Sequence, residues 1–232
     1  MPRRPVLGLL ALSLLAAPAT AHAMQFGISV GARAGTLGIG ADVAVPLGRQ
    51  VAIRGGAGLL GFDVDMTGRF GLADHRTAEL SLPKALYTIG AEVSFLGLRA
   101  GAGILIKSGD PTYRIDLDQG ASIDIGDNTY TEPAVGTLTT TYGWSSGAPY
   151  LTVGLGSLTG AGFGFLIDVG AVLLEDSSFS MSATGDGTLI ASSQFLDDLR
   201  TEERAVRDDA GGWADFWPIV SIGFRLGLPG GV

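Results

Sequence analysis

The sequence predicts an all-β protein, an antiparallel β-barrel whose strands cross a membrane. Apolar residues alternate with glycine or polar residues through 25–33 and 36–45, and the pattern recurs along most of the chain. A period of two places successive side chains on opposite faces of a strand. The face opposite the apolar one is small and poor in charge, which suits a barrel lumen better than the wet face of a soluble sandwich. The mean hydropathy of +0.35 comes from dispersed residues and not from an apolar segment long enough for a spanning helix.

The N-terminal residues resemble a secretory signal peptide. Two arginines precede an apolar stretch at 6–17, and Ala-His-Ala at 21–23 matches a cleavage site. A single membrane anchor is the alternative, but the apolar run is shorter than the roughly 20 residues that a spanning helix needs. We therefore expect residues 1–23 to be an export signal and residues 24–232 to form one barrel domain.

Composition excludes several classes of function. The net charge is −8 at pH 7, with 23 Asp and Glu against 15 Lys and Arg, and an acidic chain without basic clusters is not expected to bind nucleic acid. The chain has no cysteine, which excludes a disulfide scaffold. The acidic residues of the long connections do not have the spacing of a known calcium loop, so no metal or other cofactor is predicted.

Eight segments have the alternation and the length of about 9–11 residues that a tilted membrane-crossing strand needs. Their connections alternate between short and long, with long ones at 65–75, 109–148 and 175–215. This alternation is typical of a barrel with short turns at its periplasmic end and long loops outside. The tight link at Ala34–Gly35 departs from it, which leaves ten strands, with another hairpin inside 109–148, as an open alternative. The eight predicted strands are 25–34, 36–45, 50–64, 76–94, 97–108, 149–157, 163–174 and 216–228.

The fourth and fifth strands allow a register to be predicted. A two-residue turn at Phe95–Leu96 places Glu92 opposite Arg99 and sorts apolar and small residues onto separate faces. The same register places Lys84 opposite Lys107, which is its weak point.

Three further local features are predicted. Residues 191–209 form the one plausible helix, capped by Ser192 or Ser193. A β-bulge is expected at Gly55–Gly56. An aromatic girdle at the membrane interface is expected from Trp213, Phe216, Trp217, Trp144, Tyr142 and Tyr150.

The last strand, WPIVSIGFRL with the two residues after it, resembles the C-terminal recognition strand of outer-membrane barrels. Together with GTLGIGADVAVPL, LRAGAGILIK and APYLTVGLG, it makes the mature chain similar to the small outer-membrane β-barrels of Gram-negative bacteria, such as the OmpA- and OmpW-like proteins. The resemblance implies a location in the outer membrane after export, with membrane lipid and lipopolysaccharide as surroundings. It also implies that the barrel-assembly machinery reads the C-terminal strand. It carries over no catalytic residue.

Charged residues on the predicted inner face are the candidates for function. Eight strands leave an interior just wide enough for side chains, so ion pairs that fill the barrel are one interpretation and a conducting pore is the other. Six of the nine residues are basic, an excess that favours an anion unless loop acids balance it. The candidates are Arg33, Asp42, Arg54, Lys84, Glu92, Arg99, Lys107, Asp168 and Arg225.

Three functional hypotheses follow from these features. The first is a non-enzymatic surface barrel, with a structural role or with interactions through its long loops. The second is a narrow passive channel or carrier for small solutes. The third is a lipid-modifying enzyme, which the residues favour least, because His75 is the only histidine after the expected signal and the next serine is Ser81.

Overall fold

The structure, a computed structural model, describes residues 27–67 and 75–229. The expected export signal at 1–23 lies outside these residues. These described residues contain two helices, α1 (Gly187–Ile190) and α2 (Ser193–Ala210), followed by a 3-10 turn at Gly211–Asp215. In chain order, the strands are β1 (Ser29–Gly35), β2 (Gly38–Pro46), β3 (Val51–Leu59), β4 (Asp63–Asp65), β5 (Arg76–Ser81), β6 (Ala85–Phe95), β7 (Leu98–Lys107), β8 (Thr112–Leu117), β9 (Ser122–Ile125), β10 (Asn128–Thr131), β11 (Val135–Gly143), β12 (Gly147–Leu155), β13 (Gly162–Leu173), β14 (Ser178–Gly185) and β15 (Phe216–Gly227).

Eight of these strands form a closed antiparallel barrel in the order β1-β15-β13-β12-β7-β6-β3-β2. Closure occurs between the first and last strands, where Ser29 pairs with Gly227 and Gly35 with Ser221. The predicted fold class and the count of eight are therefore confirmed, and the ten-stranded alternative is wrong. A hairpin does lie inside 109–148, but its strands β9 and β10 pair only with each other.

Alternation separates the two faces of the barrel as the sequence predicts. Val43, Ile89, Ile104 and Val169 are exposed on the outside, with 42–58% of their surface accessible. Residues between them along the strands point inward and are buried or half-buried. No helix in the described residues is long and apolar enough to cross a bilayer.

The hairpin of β6 and β7 has a different register from the predicted one. Its turn is formed by Leu96 and Gly97, both at positive φ (52° and 83°), so Ser94 pairs with Arg99 and Glu92 with Gly101. Two-residue hairpin turns favour positive φ, and glycine adopts it without steric cost. The register is shifted by two residues, which leaves every side chain on its predicted face.

The bulge expected at Gly55–Gly56 is absent from the described strands. Pairing of β3 with β2 and with β6 continues through both glycines without a change of register.

The other strands continue five barrel strands beyond one end of the barrel. We call β14, β11, β8, β5 and β4 the upper sheet; they pair in this order, which is also the order of the barrel strands β13, β12, β7, β6 and β3 to which they connect. Segments predicted as single strands, 50–64 and 76–94, are therefore each two strands with a short break. Backbone hydrogen bonds continue into the breaks, where Ser108 N donates to Ala85 O (2.9 Å) at the end of the barrel and Tyr142 N of β11 donates to Pro111 O (2.9 Å).

The hairpin β9–β10 and the helices α1 and α2, which we call the cap, pack against the upper sheet. Helix α2 begins where the sequence predicts, and the Ser192 hydroxyl accepts a hydrogen bond from Phe195 N (3.3 Å). The cap and the upper sheet share a second hydrophobic core, separate from the barrel interior. It contains Leu117, Ala121, Ile123, Ile125, Tyr130, Val135, Leu138, Phe195 and Leu199.

Candidate functional site

Arg54 on β3 lies at the centre of an ion-pair network inside the barrel. Its Nη1 lies 2.9 Å from Glu92 Oε1 and 3.0 Å from Asp168 Oδ2, and its Nη2 lies 2.8 Å from Asp42 Oδ2. The three carboxylates come from β6, β13 and β2. One guanidinium therefore connects strands from across the barrel.

Arg99 completes a ring with two of the same carboxylates. Its Nη1 lies 2.7 Å from Glu92 Oε2, and its Nη2 pairs with Asp168 Oδ1. The arrangement satisfies both oxygens of Glu92 and of Asp168 with the same two arginines. Bidentate, charge-assisted hydrogen bonds of this kind are stronger than neutral ones.

Arg33 on β1 adds the third cation. Its Nε lies 3.5 Å from Asp42 Oδ1, and its Nη2 lies 3.5 Å from Thr88 Oγ1. With it, the network holds three arginines and three carboxylates, and each of these side chains is at most 7% exposed. Buried charges require partners, and this set is electrically neutral.

Glycines on the inner face make room for the network. A Cβ at Gly101 would lie 2.9 Å from Glu92 Cγ, and one at Gly154 would lie 2.8 Å from Arg99 Nη2. Gly56 similarly faces the Asp42 carboxylate. The alternation of glycine with apolar residues therefore has a structural cause here, because the volume that glycine leaves is filled by long charged side chains.

Arg225 lies below this network and binds backbone instead of a carboxylate. It donates to the carbonyl oxygens of Ser157, Thr159 (3.0 Å) and Gly160 (2.8 Å) in the turn between β12 and β13. The same turn inserts Leu158, which is 3% exposed, into a small apolar cluster at this end of the barrel. The turn and Arg225 therefore fill the lower mouth.

The two lysines among the candidates are placed differently. Lys84 is exposed in the connection between β5 and β6, so its assignment to the lumen is wrong; the predicted strand 76–94 is interrupted at this point. Lys107 lies at the upper end of β7, with its Nζ 3.7 Å from the centre of the Trp144 ring and paired with Asp110. It covers the upper mouth and does not face Lys84.

Apolar and aromatic side chains fill the upper part of the barrel. Trp144 and Tyr150, expected in an interfacial girdle, are instead buried here, and Tyr142 and Trp217 pack against the same cluster. The inward position of Tyr150 on β12 follows from its alternation with Leu151, a signal that the girdle interpretation does not use. The buried members are Leu37, Leu60, Leu86, Leu105, Trp144, Ala148, Tyr150, Val172, Leu174 and Ile219.

The space left between the charged and aromatic layers is a cavity of about 20 Å³ lined by Arg33, Arg54, Tyr150 and Ser221, among others. Such a volume holds about one water molecule. In the described residues, the barrel is thus filled by three layers: the lower turn with Arg225, the ion-pair network, and the aromatic cluster.

The residues considered for catalysis or metal binding are not brought together. His75 directly precedes β5 and Ser81 ends it, so the two are separated by the length of the strand, about 20 Å. Within the described residues, no group of three or more His, Asp or Glu side chains is arranged to hold a metal ion.

Comparisons with known proteins give structural neighbours. The fold is similar to the crystal structure of CarO2 from Acinetobacter baumannii, with a TM-score of 0.57 and 20% identity, over 87% of this chain and 98% of that one. It is also similar to that of CarO from the same organism, with a TM-score of 0.53 and 18% identity, over 85% and 96% of the two chains. A major outer membrane protein from Thermus thermophilus matches with a TM-score of 0.40 and 14% identity, over 89% of this chain and 100% of that one. No protein-family model and no curated protein matches the sequence.

At these identities, the first two neighbours show the fold alone. The expected resemblance to small outer-membrane barrels is confirmed for the fold. The chain shares the fold of these two proteins, and in this chain the fold is a closed, antiparallel, eight-stranded barrel whose outer surface is apolar and whose interior is filled by side chains.

Proposed function

We propose that this chain is a non-enzymatic outer-membrane barrel with a closed lumen, which presents its upper sheet and cap outside the cell as an interaction surface. The observation that carries the proposal is the filled interior, three layers deep. A conducting pore would need a continuous water path, and the cavity of about 20 Å³ beside Arg54 is too small to provide one.

The outer surface of the barrel supports the location in a membrane. Ile39 and Phe165 are 74% and 72% exposed, and large apolar side chains recur on the outer face of every barrel strand. Soluble monomers rarely expose an apolar surface of this extent, and in a bilayer it contacts lipid chains.

A reversal of polarity between the barrel and the upper sheet supports the position of the membrane boundary. In the barrel, apolar side chains point outward; in the upper sheet, apolar residues such as Ile115, Leu138 and Met181 point toward the cap, and polar ones point outward. The reversal occurs at the breaks between paired strands, including 82–84 and 108–111. Lipid around the barrel would account for its apolar outward face, and an aqueous layer around the upper sheet would account for the polar outward face there.

The expected export signal and the expected partners belong to the same proposal. A barrel that crosses the outer membrane needs export, which residues 1–23 would direct. Its closing strand β15 pairs with β1 and β13 and is the segment that assembly machinery would read. Lipid and lipopolysaccharide would surround the apolar outer face.

Planar-bilayer recording tests the closed lumen. Purified protein, shown to be inserted by its co-sedimentation with lipid vesicles, is expected to give no discrete conductance steps under conditions in which an open porin does. The buried ion pairs of Arg54 oppose transient opening, because a charge that is left buried without its partner costs about 3–5 kcal/mol. Discrete steps in the native protein would contradict the proposal and favour the narrow channel.

Lipid analysis tests the non-enzymatic role. Cells with and without the protein are expected to have the same profile of lipid A and phospholipid species. A changed profile that reverts with His75→Ala would contradict the proposal and indicate a lipid-modifying enzyme.

A further inference from the structure

The outward face of the upper sheet continues the outward face of the barrel. Outward positions keep the same parity across four of the five breaks, as in β3 and β4 with Leu59 and Asp63, and in β6 and β5 with Tyr87 and Ser81. Between β13 and β14 the connection at 174–177 changes the parity but keeps the polar face outward. The side of the chain that would contact lipid in the membrane thus extends directly above the membrane boundary.

The side chains on this extension are polar, and most of them carry hydroxyl groups. Strand pairing aligns Ser182, Thr139, Arg114, Glu79 and Asp65 in one row across the five strands. The two adjacent rows contain more hydroxyl groups than this one, and the outward residues are exposed or half-exposed. We call this surface the hydroxyl face; its Ser and Thr residues are Thr77, Ser81, Thr112, Thr137, Thr139, Thr141, Ser178, Ser180, Ser182 and Thr184.

The centre of the hydroxyl face is held in place by hydrogen bonds. Arg114 Nε and Nη2 donate to the Asp116 carboxylate (2.9 and 2.8 Å), and the Thr137 hydroxyl donates to Asp116 Oδ1 (2.6 Å). The hydrogen bonds from Arg114 lower the pKa of Asp116, so this carboxylate stays ionised and accepting at neutral pH. The surface is therefore a pre-ordered grid of donors and acceptors, with rows about 4.8 Å apart between strands.

We infer that the hydroxyl face docks uncharged sugar units in the core saccharide of lipopolysaccharide, above the lipid of the outer leaflet. The inference rests on the proposed function, because only a barrel in the outer membrane places this face against that saccharide layer. Each Ser or Thr hydroxyl both donates and accepts hydrogen bonds, as sugar hydroxyls do. Because this face continues the lipid-contacting surface of the barrel, it lies at the height of the saccharide that is attached to the lipid.

Charge and residue type distinguish this partner from others. Among the residues that the structure describes on this face, the carboxylates Asp63, Asp65, Glu79 and Asp116 outnumber the one cation, Arg114, so the face favours uncharged sugar units over phosphate groups. The outward side chains of these five strands, as described, are hydroxyl-bearing, carboxylate or guanidinium groups. Protein interfaces instead depend on buried aromatic anchors.

The test uses core oligosaccharide that has been released from lipid A, titrated by calorimetry onto the folded full-length barrel in detergent. The test variant combines Thr137→Val, Thr139→Val and Thr141→Val, which removes three hydroxyls from β11 and keeps both side-chain shape and strand propensity. The matched control is Thr140→Val on the same strand, because Thr140 points to the opposite face. Each lost hydrogen bond weakens binding several-fold, so we expect the triple variant to bind at least tenfold more weakly and the control to bind like the native protein.

A second variant covers the case in which the triple variant does not fold. Ser180→Ala with Ser182→Ala changes two exposed residues on the neighbouring strand β14 and is expected to weaken binding several-fold. Undetectable binding to the native protein, or equal binding by native and hydroxyl-deleted proteins, would overturn the inference. So would binding that disappears when the oligosaccharide is dephosphorylated, since phosphate would then be the group recognised.

Vesicle binding separates this inference from the proposed function. Protein that co-sediments with phosphatidylcholine vesicles but does not bind the oligosaccharide contradicts the saccharide site alone. Protein that is stable and monomeric in water without detergent contradicts the outer-membrane barrel itself.

Discussion

Arg54 forms ion pairs with three carboxylates at once, and this makes it the residue on which the closed interior most depends. Replacing it by methionine keeps much of its volume but leaves Asp42, Glu92 and Asp168 with one cation fewer. An uncompensated buried charge costs about 3–5 kcal/mol, so Arg54→Met should lower the free energy of unfolding by about that amount. Urea unfolding of the barrel in lipid vesicles, followed by tryptophan fluorescence, measures the change.

Two further variants show whether charge or shape is responsible for this loss. Adding Glu92→Gln to Arg54→Met restores neutrality and should recover part of the stability. Arg114→Met breaks an ion pair with Asp116 that is largely exposed to solvent and should have a much smaller effect. Equal losses for Arg54→Met and Arg114→Met would show that the buried network does not stabilise the barrel.

The sequence identifies the members of this network better than their contacts. Alternation alone assigns Arg54, Glu92 and Asp168 to the inner face, because successive side chains of a strand point to opposite faces whatever the register of pairing. Which oxygen each guanidinium contacts depends on the relative height of strands that are far apart in sequence. Lys84 shows a second limit: it has the right parity for the lumen but lies beyond the end of its strand.

At the level of elements, the contact between helix α2 and the β9–β10 hairpin depends on a tyrosine that must remain protonated. The Tyr130 hydroxyl donates to the Asp198 carboxylate, and its ring packs edge-on against Phe195 at 4.9 Å. Burial, together with Asp198, raises the pKa of Tyr130 to about 12.

This raised pKa predicts that the cap opens in alkaline solution. Because the pKa is higher in the folded state than the usual value near 10, its contribution to stability is complete below pH 10 and is lost as the pH rises toward 12. Proteolysis of the α2 region in vesicle-bound protein should therefore accelerate between these values. Tyr130→Phe should remove much of this pH dependence, and an unchanged profile in that variant would assign the opening to another group.

Element boundaries are predicted less well than element types. The alternation finds all eight barrel strands, and the Ser192 cap marks the start of α2. The predicted hairpin turn at Phe95–Leu96 is wrong by one residue, since the structure has it at Leu96–Gly97. Apolar alternation fits both positions, and only the positive φ that Gly97 favours distinguishes them.

At the scale of the whole molecule, the upper sheet is what the sequence analysis misses. Its strands also alternate, as at Thr137, Thr139 and Thr141, but their apolar side chains point inward and their outer ones carry hydroxyls. An apolar outer face predicts strands only as far as the breaks, where the outward residues become polar. On that signal the long connections are predicted to be loops, whereas in the structure they contain five further strands and a core of their own.

The orientation of the whole molecule can be tested because the sequence contains no cysteine. Arg200→Cys places a single thiol on the exposed surface of α2 in the cap, and Gln50→Cys places one in the short turn between β2 and β3 at the opposite end. If the cap lies outside the cell, a membrane-impermeant maleimide should label Arg200→Cys in intact cells and should label Gln50→Cys only after the outer membrane is opened. The control is labelling of both variants after solubilisation in detergent, which shows that each thiol is reactive. The reverse pattern would place the cap and the hydroxyl face in the periplasm, where they could not contact lipopolysaccharide, while equal labelling in intact cells would contradict a barrel that spans the membrane.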